Sequence, residues 1–149
     1  LCLRNNSRMR MPANKRTDVY HDVVEQAGLP ALVREVEFVK SDDEKSAVVA
    51  KILDENPDID GIFAGDDTMA AICLNVMKQR GLSAPDDIKV VGADGARRTM
   101  TFMPDLTTVR QDIDRIGELA AQSIIALVNG EKPESNTKLP VELIEGKTA

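Results

Sequence analysis

Short apolar runs alternate with longer amphipathic stretches along this chain, and the two patterns predict strands and helices in turn. Apolar or alternating residues predict six extended segments, at 1–3, 33–39, 59–64, 88–91, 106–109 and 139–144. Apolar residues three and four positions apart predict the helices, and the clearest helix carries Met69, Ile72, Cys73, Val76 and Met77 on one face. This alternation is typical of βαβ units, so the sequence predicts an α/β fold with a parallel sheet flanked by helices.

Local signals predict where several helices begin and end. Tyr20, Val23 and neighbouring apolar residues share a helical face that ends at Gly28. The run Ser41-Asp-Asp-Glu44 has the spacing of a capping box and predicts a helix from there to about residue 53. Asp112 precedes an amphipathic stretch that runs to Val128, whereas residues 95–104 are predicted to be a loop or a short helical turn.

Composition and charge exclude several classes of protein. The chain has 149 residues, 42% hydrophobic and 30% charged, which is typical of one folded domain. Its net charge of −6 argues against this segment gripping DNA by itself. No apolar run has the length of a membrane span and no leader is visible, so we expect a cytoplasmic protein. Cys2 and Cys73 have neither metal nor disulfide spacing, and no cofactor is expected.

Polar side chains follow three of the predicted strands. Asp66 comes after residues 61–65, Asp94 follows Val90-Val-Gly-Ala93, and Gln111 follows the extended run 106–109. In an open parallel sheet, ligands bind just beyond the carboxyl ends of the strands. We therefore expect these three side chains to converge on one crevice.

The segments that carry these residues resemble the effector-binding domain of the LacI/GalR family of bacterial repressors. The most specific match is Pro104-Asp-Leu-Thr-Thr-Val-Arg-Gln-Asp112, followed by Gly117. The resemblance covers nearly the whole chain. It implies a type I periplasmic-binding-protein-like subdomain with a flavodoxin-like, three-layer arrangement. It also implies an effector, usually a sugar or sugar derivative, in a cleft between two such subdomains.

Two acidic residues are implied to bind the effector. The family usually has Asn-Asp where this chain has Asp66-Asp67, and its first residue bonds an effector hydroxyl. An ionised Asp only accepts hydrogen bonds, so the effector should offer donors there. Asp66 is equally well explained as an N-cap of the following helix. Asp94 matches a family carboxylate that accepts from hydroxyls, although Asp-Gly is also a common turn dipeptide.

Three further residues complete the implied site. Arg16 opens the pattern Arg16-Thr-Asp-Val19-Tyr20, in which the family has glycine instead of Val19, and the family arginine points into the crevice. Lys40 lies near a position where sugar-responsive members often carry an aromatic residue. Together these cations suggest an anionic or phosphorylated sugar, whereas solvated surface positions are the alternative for both. Gln111 borders the crevice in the family, although one Gln ahead of a helix is unremarkable by itself.

The resemblance also implies a domain organisation. Residues 1–103 would form the carboxyl-side effector-binding subdomain, residues 104–133 a crossover and helix of the amino-side subdomain, and residues 134–149 a return strand and tail. The DNA-binding headpiece would be absent, and because the chain opens on apolar residues we expect an upstream half. Operator DNA would then be a partner only through that headpiece. Residues 69–77 and 99–103 lie where the family's subunits meet in a homodimer, although the core could absorb the first stripe.

Two other functions remain open at this point. A periplasmic-type sugar-binding protein of a transport system shares the fold, although the Leu-Thr-Thr-Val-Arg-Gln phrase suits repressors better. An enzyme is the weaker alternative because His21, the single histidine, lies between Tyr20 and Asp22 in a helix, and no activated nucleophile is visible. The favoured interpretation is the effector-sensing and dimerising part of a transcriptional repressor.

Overall fold

The computed structural model describes residues 1–6, 12–37, 40–133 and 137–149, and it describes no side chains for residues 5, 6 and 12–14. In these residues the chain forms six strands: β1 (Cys2–Asn6), β2 (Val33–Glu37), β3 (Gly61–Ala64), β4 (Lys89–Asp94), β5 (Thr107–Gln111) and β6 (Val141–Ile144). Five helices connect or follow them: α1 (Pro12–Gln26), α2 (Asp42–Glu55), α3 (Asp67–Gln79), α4 (Arg97–Phe102) and α5 (Ile113–Val128).

All six strands belong to one sheet with the order β2-β1-β3-β4-β5-β6. The first five strands are parallel, and β6 alone pairs antiparallel, with β5. The order 2-1-3-4-5 is that of a doubly wound sheet, in which the chain starts in the middle and adds strands outward on both sides. The prediction of a parallel sheet flanked by helices is confirmed.

The hydrophobic core fills the space between one face of the sheet and the helices α2 and α3. Leu3, Ile62 and Val90 point to this face and are at most 3% exposed. They pack on the apolar stripe of α3, which is the stripe that the sequence offered as a possible subunit contact. The core therefore absorbs that stripe, as the alternative interpretation held.

Helix α1 lies on the opposite face of the sheet. Tyr20 of α1 stacks on Phe63 of β3, with ring centroids 6.5 Å apart. Register pairs Phe63 with Cys2 and places Ala93 beside Val109, so these side chains share the face that α1 contacts. Toward β6 this face opens to solvent, where Val141 is exposed.

The segment boundaries differ from the sequence predictions in a few places. Strand β1 extends through residues 5 and 6, which were predicted to lie in a loop, because β2 pairs along its whole length. Residues 97–102 form a six-residue helix, which agrees with the helical alternative of the two predicted for residues 95–104. The predicted strand over 33–39 is seen to Glu37, and residues 38 and 39 lie outside the described residues. The same holds for residues 7–10 of the predicted polar loop.

Helix α5 begins after Asp112, whose carboxylate accepts from the Arg115 N–H at 2.9 Å. No residue of this helix is buried. Its apolar side chains are exposed by 42% or more at Ile113, Ile116, Ile124, Ile125, Leu127 and Val128. None of the described helices is both long and apolar enough to cross a membrane.

Candidate functional site

The carboxylate of Asp94 is the centre of a polar cluster with Arg16 and Gln111. Arg16 Nη2 donates to Asp94 Oδ1 at 3.2 Å, and Gln111 Nε2 donates to the same oxygen at 2.7 Å. Arg16 Nη1 also donates to the Gly65 carbonyl oxygen at 2.7 Å. We call these three side chains the Asp94 cluster. Three of the five predicted site residues are thus brought together.

Strand order explains why these residues meet. Asp94 is the last residue of β4 and Gln111 the last of β5, and the two strands are parallel neighbours. Arg16 reaches them from the first turns of α1, and Gly65 directly follows β3. The cluster therefore lies beyond the carboxyl ends of β3, β4 and β5, where ligands bind in open α/β sheets.

A cavity of about 610 Å³ opens beside the Asp94 cluster, and the rest of its lining is mostly apolar. Val19 and Tyr20 of α1 form one side, whereas Phe63, Val109 and Val141 of the sheet form the floor and the far side. This volume is within the range of small-molecule sites, which are typically about 300–1,000 Å³. The cavity combines one polar end with a long apolar wall.

The backbone at Asp94 adopts a conformation that residues other than glycine rarely adopt. Asp94 has φ of 104° and is followed by Gly95 with φ of 59°. A Cβ on Gly95 would lie 2.6 Å from the Arg110 Cα, so this position requires glycine. A backbone conformation of this kind costs on the order of 1–3 kcal/mol per residue, and residues that adopt one concentrate at functional sites.

Asp66 lies next to the Asp94 cluster, but its carboxylate caps a helix. Its Oδ1 accepts from the Met69 N–H at 2.8 Å and so caps α3. Its side chain does not line the cavity. The N-cap interpretation is therefore confirmed for Asp66, and a role in effector binding remains a prediction.

Lys40 is not brought to the cavity. Its Nζ lies 3.9 Å from Glu37 Oε1, an ion pair three residues back along the chain. Lys15, which the sequence analysis did not single out, lines the cavity instead and is exposed to solvent. The predicted effector contact of Lys40 remains untested, and the structure shows no contact that supports it.

The residue that sequence reasoning missed is Asp67. It is the first residue of α3 and only 3% exposed. Burial raises the pKa of its carboxyl, whereas bonds from Thr108 and from the Gly95 and Ala96 N–H groups oppose that rise. The signal in the sequence was the pair of acids Asp66-Asp67 at the end of a strand. Since one acid is enough to cap the helix, the second one could have been expected to have another role.

The chemistry of the Asp94 cluster suits hydrogen bonding to hydroxyl groups. A carboxylate accepts from two hydroxyls, and the guanidinium and the amide N–H groups donate to others. Within the described ranges, no group of three or more His, Cys, Asp or Glu residues is arranged to hold a metal ion. Cys73 is buried in the core, which raises the pKa of its thiol to about 12 and leaves it unreactive.

Comparison with known proteins gives consistent matches along the whole chain. The family described as periplasmic binding protein-like domain matches residues 1–149. The ribose operon repressor of Halalkalibacterium halodurans is 32% identical over 140 residues, which are 92% of this chain and 41% of that protein. The sucrose operon repressor of Pediococcus pentosaceus is 32% identical over 140 residues, 93% of this chain and 43% of the relative. The chain therefore spans about two fifths of the length of these relatives.

Solved structures give the same fold. A LacI family transcriptional regulator from Arthrobacter in complex with lactose superimposes with a TM-score of 0.81 at 25% identity, covering 99% of this chain and 55% of that one. The Lac repressor bound to ONPG superimposes with a TM-score of 0.83 at 24% identity, covering 99% of this chain and 45% of that one. The resemblance inferred from the strand-end motifs is thereby confirmed. The chain belongs to the periplasmic binding protein-like domain family, in the form found in LacI-type transcriptional regulators.

Proposed function

We propose that this chain is the effector-sensing part of a LacI-type transcriptional repressor and that it binds a sugar at the Asp94 cluster. The observation that carries the proposal is the convergence of Arg16, Asp94 and Gln111 at the carboxyl ends of adjacent strands, beside a cavity of about 610 Å³. Sugar hydroxyls can replace or extend the hydrogen bonds inside this cluster, because each hydroxyl both donates and accepts.

The charges around the cavity favour a neutral sugar over a phosphorylated one. The guanidinium of Arg16 is already paired with the carboxylate of Asp94. Lys40 pairs with Glu37 and does not line the cavity. Among the residues that the structure describes, Lys15 is the remaining cation at the rim, and because it is exposed its attraction for a phosphate is weakened by solvent and salt.

The similar proteins support sugar as the chemical class. The relatives named above are repressors of ribose and sucrose operons. Two of the similar structures are complexes with lactose and with cellobiose. None of the named relatives is a transport protein, so the transport alternative is not favoured. The relatives are repressors rather than enzymes, which agrees with a binding role for this chain.

The same comparison supports the proposed partners. One similar structure is a Lac repressor dimer bound to operator. This chain carries a net charge of −6, so a separate basic segment of the full-length protein would contact the phosphate backbone. Effector binding would change operator affinity through different affinities for two conformations of the cleft.

Replacement of Asp94 tests the proposed site. In the full-length protein, Asp94→Ala should weaken sugar binding by about 1.5–3 kcal/mol, the range for hydrogen bonds to a charged group. The carboxylate is 36% exposed, so we expect the lower half of that range. The measurement is titration calorimetry with ribose, sucrose, lactose and cellobiose. Asp86→Ala removes an exposed carboxylate outside the cavity and is the control. An Asp94→Ala protein with wild-type affinity for the bound sugar would exclude this site.

A further inference from the structure

A buried carboxylate joins three parts of the chain directly behind the proposed site. Asp67 Oδ1 accepts from the Thr108 hydroxyl at 2.5 Å, and Oδ2 accepts from the Ala96 N–H at 3.3 Å. Asp67 itself starts α3, Thr108 lies in β5, and Ala96 follows the end of β4. Such a carboxylate is not needed for helix capping, because Asp66 already caps α3.

Gly92 of β4 leaves space for the Asp67 carboxylate. A Cβ on Gly92 would lie 2.5 Å from Asp67 Oδ1 and 3.3 Å from the Thr108 hydroxyl oxygen. Gly92 has an ordinary strand conformation, so its backbone does not require glycine. Space for the Asp67 carboxylate therefore accounts for the glycine.

The segment that Asp67 holds is the strained turn at the site. Asp94 and Gly95 both have positive φ, and the N–H groups of Gly95 and Ala96 are directed at the Asp67 carboxylate. Successive N–H groups of this kind form a concave anion-binding turn. A non-glycine residue with positive φ persists only where its surroundings fix it. Asp67 supplies the acceptor that fixes this turn from behind.

We propose that Asp67 is a positioning residue, which holds the turn at 94–96 through its N–H groups and so directs the Asp94 carboxylate toward Arg16 and Gln111. This inference rests on the proposed function for the meaning of the Asp94 cluster, but its structural content is independent of the sugar. Thr108 is the second member of the arrangement, since its hydroxyl fixes the other carboxylate oxygen.

Amide hydrogen exchange in the full-length protein tests this role without a ligand. In Asp67→Ala, the Gly95 and Ala96 amides should exchange about tenfold faster or more, because the acceptor of their hydrogen bonds is lost. Amides of the first half of β4 should keep their wild-type rates. Asp67→Asn is the rescue variant, since its amide oxygen can accept from Ala96 while its NH₂ donates to the Thr108 oxygen. Its Gly95 and Ala96 rates should stay near wild type.

A second pair of variants leaves Asp67 unchanged. Thr108→Val removes the hydroxyl at nearly constant volume, and it should accelerate exchange at Gly95 and Ala96. Thr108→Ser keeps the hydroxyl and should not. This pair decides the question if Asp67→Ala fails to fold.

The outcomes separate this inference from the proposed function. Unchanged Gly95 and Ala96 exchange in both Asp67→Ala and Thr108→Val would overturn the positioning role, as would acceleration spread evenly over β4 and β5. Calorimetry with ribose, sucrose, lactose and cellobiose then tests the effect on binding. Asp67→Ala should lower the affinity for the sugar that binds by about tenfold or more. If Asp94→Ala leaves sugar affinity unchanged, the proposed site fails while the exchange data still decide the role of Asp67.

Discussion

At the scale of single residues, the Asp94 cluster depends on a backbone conformation that most residues other than glycine avoid. Asp94 has φ of 104°, and its carboxylate accepts from Arg16 and Gln111 on one side of the turn. On the other side, the buried Asp67 accepts from the turn's own N–H groups. Two carboxylates thus lie near each other, and each is held by donors from different elements.

Burial of Asp67 predicts a dependence of stability on pH. The pKa of Asp67 is raised in the folded state, mainly by desolvation, and the nearby Asp94 charge adds to the rise. A raised folded-state pKa means that the folded protein binds this proton more tightly than the unfolded chain. The stabilisation is complete below the ordinary carboxyl pKa, about 4, and is lost as pH rises through the raised value.

The thermal midpoint of Asp67→Asn, relative to wild type, should therefore increase with pH across that window and level off above it. Thermal unfolding in a series of buffers measures the difference. Asp86→Asn, at an exposed position, is the control and should show no such trend. A difference that is constant from pH 4 to 8 would contradict a raised pKa at Asp67.

The positions of the candidate site residues were predictable to different degrees. Asp94 and Gln111 follow strands, so the sheet geometry alone indicated where they would lie. Arg16 required the family pattern, because no local signal separates it from a solvated arginine. Lys40 was predicted on that pattern but pairs with Glu37. Asp67 was missed because its partners, Ala96 and Thr108, are 29 and 41 residues away along the chain.

At the scale of elements, local signals determined helix starts and non-local pairing determined the rest. Ser41 caps α2 with the capping box that its sequence predicts, and the Ser41 donors lower the pKa of Glu44. Helix α4 was predicted only as an alternative to a loop, since it has six residues and no side-chain cap at Ala96. The direction of β6 depends on a distant partner strand, β5, and nothing within its own four residues indicates it.

The exposed apolar face of α5 predicts association of the 149-residue chain. Each large apolar side chain left in water forgoes roughly 1.5–3 kcal/mol relative to burial. Ile124 is 62% exposed, so Ile124→Lys should reduce both dye binding to apolar surface and self-association. We expect the free energy of unfolding to change by less than about 0.5 kcal/mol.

Gln122→Lys places the same charge on the opposite side of α5 and is the matched control. Light scattering and dye fluorescence compare the three proteins at equal concentration. Equal association of the Ile124→Lys and Gln122→Lys proteins would show that the apolar face is not the contact.

At the scale of the whole molecule, the two faces of the sheet have different roles. One face packs on α2 and α3 and contains the core, whereas the other meets α1 and holds the cavity. The sequence predicted the parallel strands and the edge at which the site lies. It did not predict the strand order, because order depends on pairings between distant segments and no single segment carries that information.

The predicted dimer surface at residues 99–103 is best tested at Phe102, which is exposed. Met103 packs against the core, so its replacement would also destabilise the fold. Phe102 is 76% exposed, and Phe102→Asp in the full-length protein should raise the dimer dissociation constant tenfold or more, as for an aromatic interface residue worth about 2 kcal/mol. Sedimentation measures the change. Gln26→Asp, at an exposed position of α1 outside residues 99–103, is the control. An unaltered dimer in Phe102→Asp would exclude this surface.

The pairing of Gln111 with Val141 has a topological consequence. The chain leaves the sheet at the end of β5 and re-enters it at the adjacent position of β6, so everything between these residues starts and finishes at one point. The segment between them, which contains α5, is therefore an insertion whose two ends are paired with each other in the sheet, and it does not alter the pairing of the other strands. Because closing a longer loop costs only a little more entropy, its length and content can change while the six-strand order stays the same. Gln111 and Val141 therefore mark the boundary between the sheet and the excursion.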